Sequence, residues 1–409
     1  QVFTFTVPDF SIGRFMNRSL FIIFATIALD AIGIGLIFPI LPLLLQDMTH
    51  STHISIYMGM LASLYAAMQF IFSPLLGALS DRWGRRPVLL ISLAGSAVNY
   101  LFLTFSHSLI LLLVGRIIAG ITSANMAVAS AYIVDVLHEN NRAKYFGLIN
   151  AMFGAGFIIG PVLGGFLSEY GLRLPFFAAA ILTGLNLLSA YFVLPESRKV
   201  TLENKQLSTL NPFKIFAGIS SIRGVLPLIT TFFIFSAIGE VYGVCWALWG
   251  HDTFQWSGFW VGLSLGAFGL CQMLVQALIP SHASRLLGNR NAVLAGIACS
   301  CFALAVMAFA QSGWMIFAIM PIFALGSMGT PSLQALASQK VSADQQGQFQ
   351  GVIASTVSMA SMIAPMFFST LYFQFQEKWP GAIWLSVILI YLLTLPIILY
   401  STRPVVQQR

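Results

Sequence analysis

The chain is 409 residues long, with 58% hydrophobic residues, 8% charged residues and a formal net charge of +7. A soluble domain carries roughly 25% charged residues, so this low a charge content over this length excludes an ordinary water-soluble protein, and the apolar content excludes intrinsic disorder. A net positive charge points to nucleic acid only when it forms a basic face on a soluble surface. Here the basic residues are scattered between apolar runs, and no nucleic-acid partner is expected.

Apolar runs of about 20 residues or more, enough to cross roughly 30 Å of hydrocarbon, recur along the chain. In order they predict helical spans over 19–46, 55–80, 88–107, 109–135, 143–169 and 173–195, then 223–249, 257–284, 290–310, 313–336, 344–374 and 380–402. Residues 196–222 hold Arg198, Lys199, Lys205 and Lys214 and no long apolar run. The expected fold is therefore an all-α membrane protein of twelve transmembrane helices. Residues 1–195 form a first six-helix bundle, 196–222 a central loop and 223–409 a second bundle.

Of the 20 Lys and Arg, 17 fall in loops on one side, Arg173 and Lys378 fall on the other, and Arg116 lies within a span. The positive-inside rule then places both termini and the central loop in the cytoplasm. The spans were chosen on apolarity alone, so this asymmetry independently supports an even number of them. The first apolar run is too long for a signal peptide and lacks an A-x-A site, so it is expected to stay in the mature protein, with Met16 reading like a start. Cys245, Cys271, Cys299 and Cys301 sit in apolar segments without C-x-x-C or His/Cys spacing. Neither a disulfide framework nor a metal site is expected. The outer loops contain no N-x-S/T sequon, which is compatible with a bacterial inner membrane. No G-x-S-x-G, H-E-x-x-H or G-x-x-x-x-G-K motif is present, so the chain is not read as an enzyme and no cofactor is expected.

An internal repeat runs through both halves. Gly84 and Arg86 recur as Gly288 and Arg290, Gly147 as Gly351 and Pro161 as Pro365, all 204 residues apart; Gly59 and Gln69 recur as Gly262 and Gln272 at 203. One spacing shared by several loops and helices favours a duplicated six-helix unit, the architecture of the major facilitator fold, with a site between the halves near the midplane.

Three motifs stand out. Gly77-Ala78-Leu79-Ser80-Asp81-Arg82-Trp83-Gly84-Arg85-Arg86-Pro87 makes a turn too tight for most residues at Gly84, and Asp81 suits the positive end of the following helix. The arginines either enforce topology or do more. Gly156-Phe157-Ile158-Ile159-Gly160-Pro161-Val162-Leu163-Gly164-Gly165 places small residues four apart, which allows close helix packing. Leu29-Asp30-Ala31-Ile32-Gly33-Ile34-Gly35 leads into Phe38-Pro39-Ile40-Leu41-Pro42, and Gly115-Arg116 precedes Gly120-Ile121-Thr122. The first motif resembles the signature loop of the major facilitator superfamily, and the second resembles the antiporter motif of its drug exporters. Together the three resemble the tetracycline/proton antiporters, densely over residues 28–196 and more thinly beyond. The resemblance implies that Asp81 and Arg85, with Asp135, form a charge network at the cytoplasmic gate alongside Arg82 and Arg86. In the second copy Arg285 stands where Asp81 would be.

Of 13 acids, Asp30 and Glu240 alone fall well inside spans, together with Arg116. A charge in a span is expensive unless paired, so it is functional by default. A carboxylate can be neutralised by a proton, whereas an arginine keeps its charge. Asp30 is expected to exchange between a proton and a partner, for which Arg116 is the candidate; a static ion pair is the other reading. Glu240 is either a second proton site or a contact for a cationic substrate, or else it lies near the membrane edge. The resemblance also marks departures: acids of the third and ninth spans and a histidine of the eighth correspond to Asn99, Ser300 and Gln272, all neutral here. Polar groups on apolar helices, Gln69, Asn99, Asn125, Asn150 and Gln272, with Tyr65, Tyr242 and Trp246 as stacking surfaces, are either a pocket for an amphiphilic substrate or plain interhelical hydrogen bonds. The preferred reading is a monomeric, proton-coupled exporter of hydrophobic or amphiphilic small molecules. The alternative is a transporter of the same fold for one metabolite, coupled or uncoupled.

Overall fold

A computed structural model describes residues 10–197, 226–339 and 346–401. Most of the expected central loop, with Arg198, Lys199, Lys205, Lys214 and Arg223, therefore lies outside the described residues, as do Lys340, Arg403 and Arg409. Among the described residues, twelve helices are long and apolar enough to cross a membrane. They are α1 Ser19–Thr49, α2 Ile54–Trp83, α3 Arg85–Phe105, α4 Leu109–Val136, α5 Lys144–Ser168 and α6 Leu174–Val193, then α7 Leu226–Phe254, α8 Gly258–Pro280, α9 His282–Ala308, α10 Gly313–Ala337, α11 Phe349–Phe375 and α12 Ala382–Ser401. Each run is helical because hydrocarbon offers no partner for backbone N–H and C=O groups, so a spanning segment must satisfy its own.

The repeat is visible in the backbone. Gly84, between α2 and α3, has φ +106°, and Gly288, 204 residues on, has φ +76°. Both turn the chain through a region that a Cβ disfavours. Gly288 is the non-helical residue at a kink within Gly258–Ala308. The chain also breaks at repeat-related points within spans. α4 consists of Leu109–Ile121 and Asn125–Val136 with Thr122, Ser123 and Ala124 between them, and α10 passes through a 3₁₀ turn at Gly326–Met328.

Small residues set how closely the helices approach. Within the first half, α5 lies against α1: a Cβ on Gly156 would come within 2.6 Å of the Ala28 carbonyl, and one on Gly160 within 2.5 Å of the Ile32 carbonyl. Between the halves, α5 meets α8 and α2 meets α11. A Cβ on Gly165 would collide with the Gly258 carbonyl, one on Gly262 with the Pro161 carbonyl, and one on Gly59 would lie 2.8 Å from the Pro365 carbonyl. Gln376 adds a clasp, donating from Nε2 to the Thr52 carbonyl at 3.2 Å and accepting from Ser55 Oγ at 3.4 Å. These contacts lie toward the end away from the Arg82–Arg86 loop. Near the arginine loop the packing is different: Gly77 on α2, Gly147 on α5 and Gly351 on α11 would each point a Cβ into open space. Among the described residues, the close backbone contacts between the halves lie toward the far end.

The cavity between the halves

The first-half loop is a closed electrostatic unit. Arg85 pairs through Nη2 with Asp81 Oδ1 and donates from Nε to Asp135 Oδ2, both at 2.8 Å, while Nη1 donates to Ser80 Oγ at 2.7 Å. The motif's Asp, Arg and Asp thus meet at one guanidinium. Gly77 takes part through its carbonyl, which accepts from Ser80 Oγ at 2.7 Å. Arg86 donates to the Tyr191 carbonyl and lies over the Tyr191 ring at 5.6 Å, and Arg82 sits in the exposed last turn of α2.

One sequence expectation changes here. The acid at the start of α3 is Glu196, not Asp81: its two carboxylate oxygens accept from the backbone N–H of Arg85 at 2.8 Å and of Arg86 at 3.1 Å. Asp81 instead closes α2, four residues before its partner. Glu196 also fills the space beside Gly84, where a Cβ would collide with its carboxylate. Glu196 lies 110 residues further along than Arg86, so nothing local in the sequence marks it.

Between the halves lies a chamber of about 240 Å³. From the first half, Asp30, Tyr65, Gln69, Asn99, Tyr100, Arg116 and Ser123 line it; from the second half come Glu240, Gly243 and Ser361. A second chamber, of about 630 Å³, sits mainly in the second half and is lined by Phe235, Tyr242, Phe268, Gln272, Ser327 and Tyr391 among others. Phe38, Glu240 and Gly243 line both. The two helix breaks open onto these spaces, Ser123 onto the first and Gly326 and Ser327 onto the second. Glu240 therefore stands at the junction of two chambers and not at the membrane edge. Its Oε1 accepts from Ser361 Oγ at 2.5 Å.

The expected pairing of Asp30 with Arg116 is not formed. Asp30 Oδ1 accepts from Asn125 Nδ2 at 2.9 Å. Arg116, only 9% exposed, instead lies near the Tyr65 ring at 5.9 Å, and no ion pair to it is found among the described residues. Its N–H groups have no carboxylate partner there and border the chamber. Tyr65 and Gln69 meet on Ser123, each 2.9 Å from its Oγ.

Three expected pocket residues have other places. Asn150 is exposed and lines neither chamber. Trp246, 2% exposed, is core: its Nε1 donates to Ser264 Oγ at 2.8 Å, and its ring packs on Trp249 and Trp384. Asn125 is buried behind the chamber wall as the partner of Asp30. The antiporter-motif residues Gly156, Gly160, Pro161, Gly164 and Gly165 lie at helix crossings, on α1 and on the α5–α8 seam. Tyr100, Phe38 and Ser361 are chamber residues that the sequence reading missed, because an aromatic or a serine in an apolar run is the commonest kind of packing residue. Among the described residues, no three His, Cys, Asp or Glu side chains gather in a way that would hold a metal ion.

Comparison with known proteins follows the same lines. The family description Major Facilitator Superfamily matches residues 23–259 and 240–409. The tetracycline resistance protein, class C, of Escherichia coli is 43% identical over 380 residues, covering 93% of this chain and 96% of that protein. The class G protein of Vibrio anguillarum is 40% identical, covering 94% of this chain and 98% of that protein. In three dimensions the chain is similar to the nucleoside transporter NupG, with a TM-score of 0.77 at 14% identity, covering 95% of this chain and 100% of that one.

Proposed function

The chain belongs to the major facilitator superfamily and, within it, to the group of the tetracycline resistance proteins, and from that premise we propose that it exports hydrophobic or amphiphilic small molecules in exchange for protons. The observation that carries the reading is the cavity between the halves. It gathers two carboxylates, Asp30 and Glu240, and the guanidinium of Arg116, which has no carboxylate partner among the described residues. An arginine keeps its charge, so the groups that change state in such a site are the carboxylates. A proton on Asp30 removes a half-buried charge within the membrane span, and its loss restores one. Coupling to substrate follows if the two ligands favour different arrangements of the halves.

The arrangement of the halves supports alternating access. Among the described residues they are held together at the far end by the small-residue crossings and the Gln376 clasp, while Gly77, Gly147 and Gly351 near the arginine loop face open space. Taking that end as cytoplasmic, as the loop charges imply, the structure is open toward the substrate of an exporter. The protein works as a monomer in a bacterial inner membrane, needs no cofactor beyond the proton gradient, and carries out no covalent chemistry. The neutral Asn99, Gln272 and Ser300 make the substrate range its own: the chamber is a polar and aromatic pocket with few fixed charges.

The test is proton movement in inverted vesicles carrying an imposed inside-acid gradient, challenged with tetracyclines, lipophilic cations and neutral amphiphiles. One class of compound is expected to collapse the gradient in the wild type and not in Asp30→Asn. Equal collapse in both removes Asp30 from coupling. Labelled-substrate exchange without any gradient collapse would make the protein an uncoupled carrier.

A further inference from the structure

Asp30 is half-buried, with no ion pair to it among the described residues, which leaves the question of what holds its charge. The titratable side chains that share its chamber are Tyr65 from α2, Tyr100 from α3, Arg116 from α4 and Glu240 from α7. From α5 it is approached by glycines, Gly156 and Gly160 lying against the backbone of α1, and from α6 Asn186 bonds Thr26 one turn earlier. Among the described residues, the one hydrogen bond to the carboxylate comes from Asn125 Nδ2, at 2.9 Å. Asn125 is 3% exposed, and its other amide atom, Oδ1, is buried with no partner. A buried amide that uses its donor and leaves its acceptor empty bears a cost that a well-packed interior usually removes.

We propose that Asn125 is the positioning residue of Asp30, and that its empty acceptor is the place made for the protonated form. An ionised carboxylate only accepts, while a protonated one carries an O–H that must donate. In the ionised state Nδ2 donates to Asp30, as seen. When a proton arrives from the chamber and binds the carboxylate, a half-turn of the amide about its terminal torsion brings Oδ1 to accept from the new O–H. No other bond is made or broken. One neutral side chain thus satisfies both states, which an arginine partner cannot do, because it has donors only.

The local fold explains why this residue is available. Asn125 is the first residue after the break in α4, and Ser123, two residues earlier, turns into the chamber to meet Tyr65 and Gln69. The same short break therefore holds the carboxylate on one side and the chamber wall on the other.

The inference rests on Asp30 being the proton-exchanging group, and the experiment separates the two. The full chain in lipid vesicles is titrated by infrared difference spectroscopy in the wild type, Asp30→Asn, Asn125→Leu and, as a smaller replacement should Leu not fold, Asn125→Ala. A protonated-carboxyl band from Asp30, separate from that of Glu240, is expected in the wild type and absent from Asp30→Asn. In either Asn125 variant it is expected at higher wavenumber, because its O–H has lost an acceptor. The bond the amide makes to the charged form is the stronger of its two, so losing both should also move the midpoint upward. A residue that only packs would move neither. A midpoint and wavenumber matching the wild type in the Asn125 variants overturn the role of Asn125 and leave Asp30 as the proton site. Protonated-carboxyl bands identical in the wild type and Asp30→Asn overturn both, since the amide would then have no protonated Asp30 to hold.

Discussion

Glu240 and Gly84 show how differently single residues can matter here. Glu240 brings a carboxylate to the junction of two chambers with one hydrogen bond, from Ser361, and no ion pair among the described residues. Such a group gains from a proton or from a cationic partner. Glu240→Gln is accordingly expected to lower transport of lipophilic cations into inverted vesicles by about tenfold, the equivalent of a charged hydrogen bond worth roughly 1.5 kcal/mol, and to affect neutral amphiphiles less. Equal losses for both classes would take the charge out of recognition. Gly84 matters through its backbone: φ is +106°, and a Cβ would collide with Glu196, which caps α3. Gly84→Ala should destabilise the first half by about 1–3 kcal/mol through strain, read as a lower melting temperature in detergent. Gly288→Ala has the same handedness problem with open space around it and should cost less.

At the scale of helices, the small-residue positions divide into two sets. One set is filled now: Gly165, Gly262 and Gly59 each lie against backbone of the opposite half. The other set, Gly77, Gly147 and Gly351, has nothing near a Cβ in this arrangement. A repeat that keeps Gly147 and Gly351 at matching places on α5 and α11, with no present neighbour for either, makes sense if these surfaces meet when the arginine-loop end closes. Gly351→Leu is therefore expected to fold normally and hold the protein open at that end. With a cysteine at Ser96 on the chamber wall of an otherwise cysteine-free chain, impermeant thiol reagent should label only from the arginine-loop side and transport should fall at least tenfold. Unchanged transport would mean these surfaces never meet. Gly262→Leu should do the reverse, since its side chain would strike the Pro161 carbonyl and break the far-end seam.

For the whole molecule, the balance between the two arrangements rests on a short seam. Besides the glycine crossings, the far end is held by Gln376, which bonds Thr52 and Ser55 across the halves, and by the stack of His53 on Phe373 at 4.9 Å. Hydrogen bonds of this kind contribute about 1 kcal/mol each, so loss of both should shift the population by roughly thirtyfold. Gln376→Ala should raise labelling of the Ser96 position from the far face by that factor while leaving the melting temperature nearly unchanged. No gain in labelling would show that the glycine crossings alone keep the seam closed.

Much of this molecule is written in its composition. Apolar length and loop charge fixed twelve spans, because hydrocarbon allows a chain few alternatives to closed helices, and the positions of the expected spans agree with the helices to within a few residues at most ends. The repeat and the glycine-rich motifs were legible for a similar reason: a positive φ or a backbone-to-backbone crossing admits almost no residue except glycine, so the need leaves a mark at a fixed position. Asp30, Arg116 and Glu240 were visible because charge in a span is rare. Their partners were not. Asn125 in place of Arg116 beside Asp30, Glu196 at the start of α3, Trp246 in the core and Asn150 on the surface were all decided by the rotation of each helix about its axis and by which helices pack together. Many residues satisfy a hydrogen bond or fill an apolar gap equally well, so pairings of that kind leave no signature in sequence, and only the assembled structure selects among them.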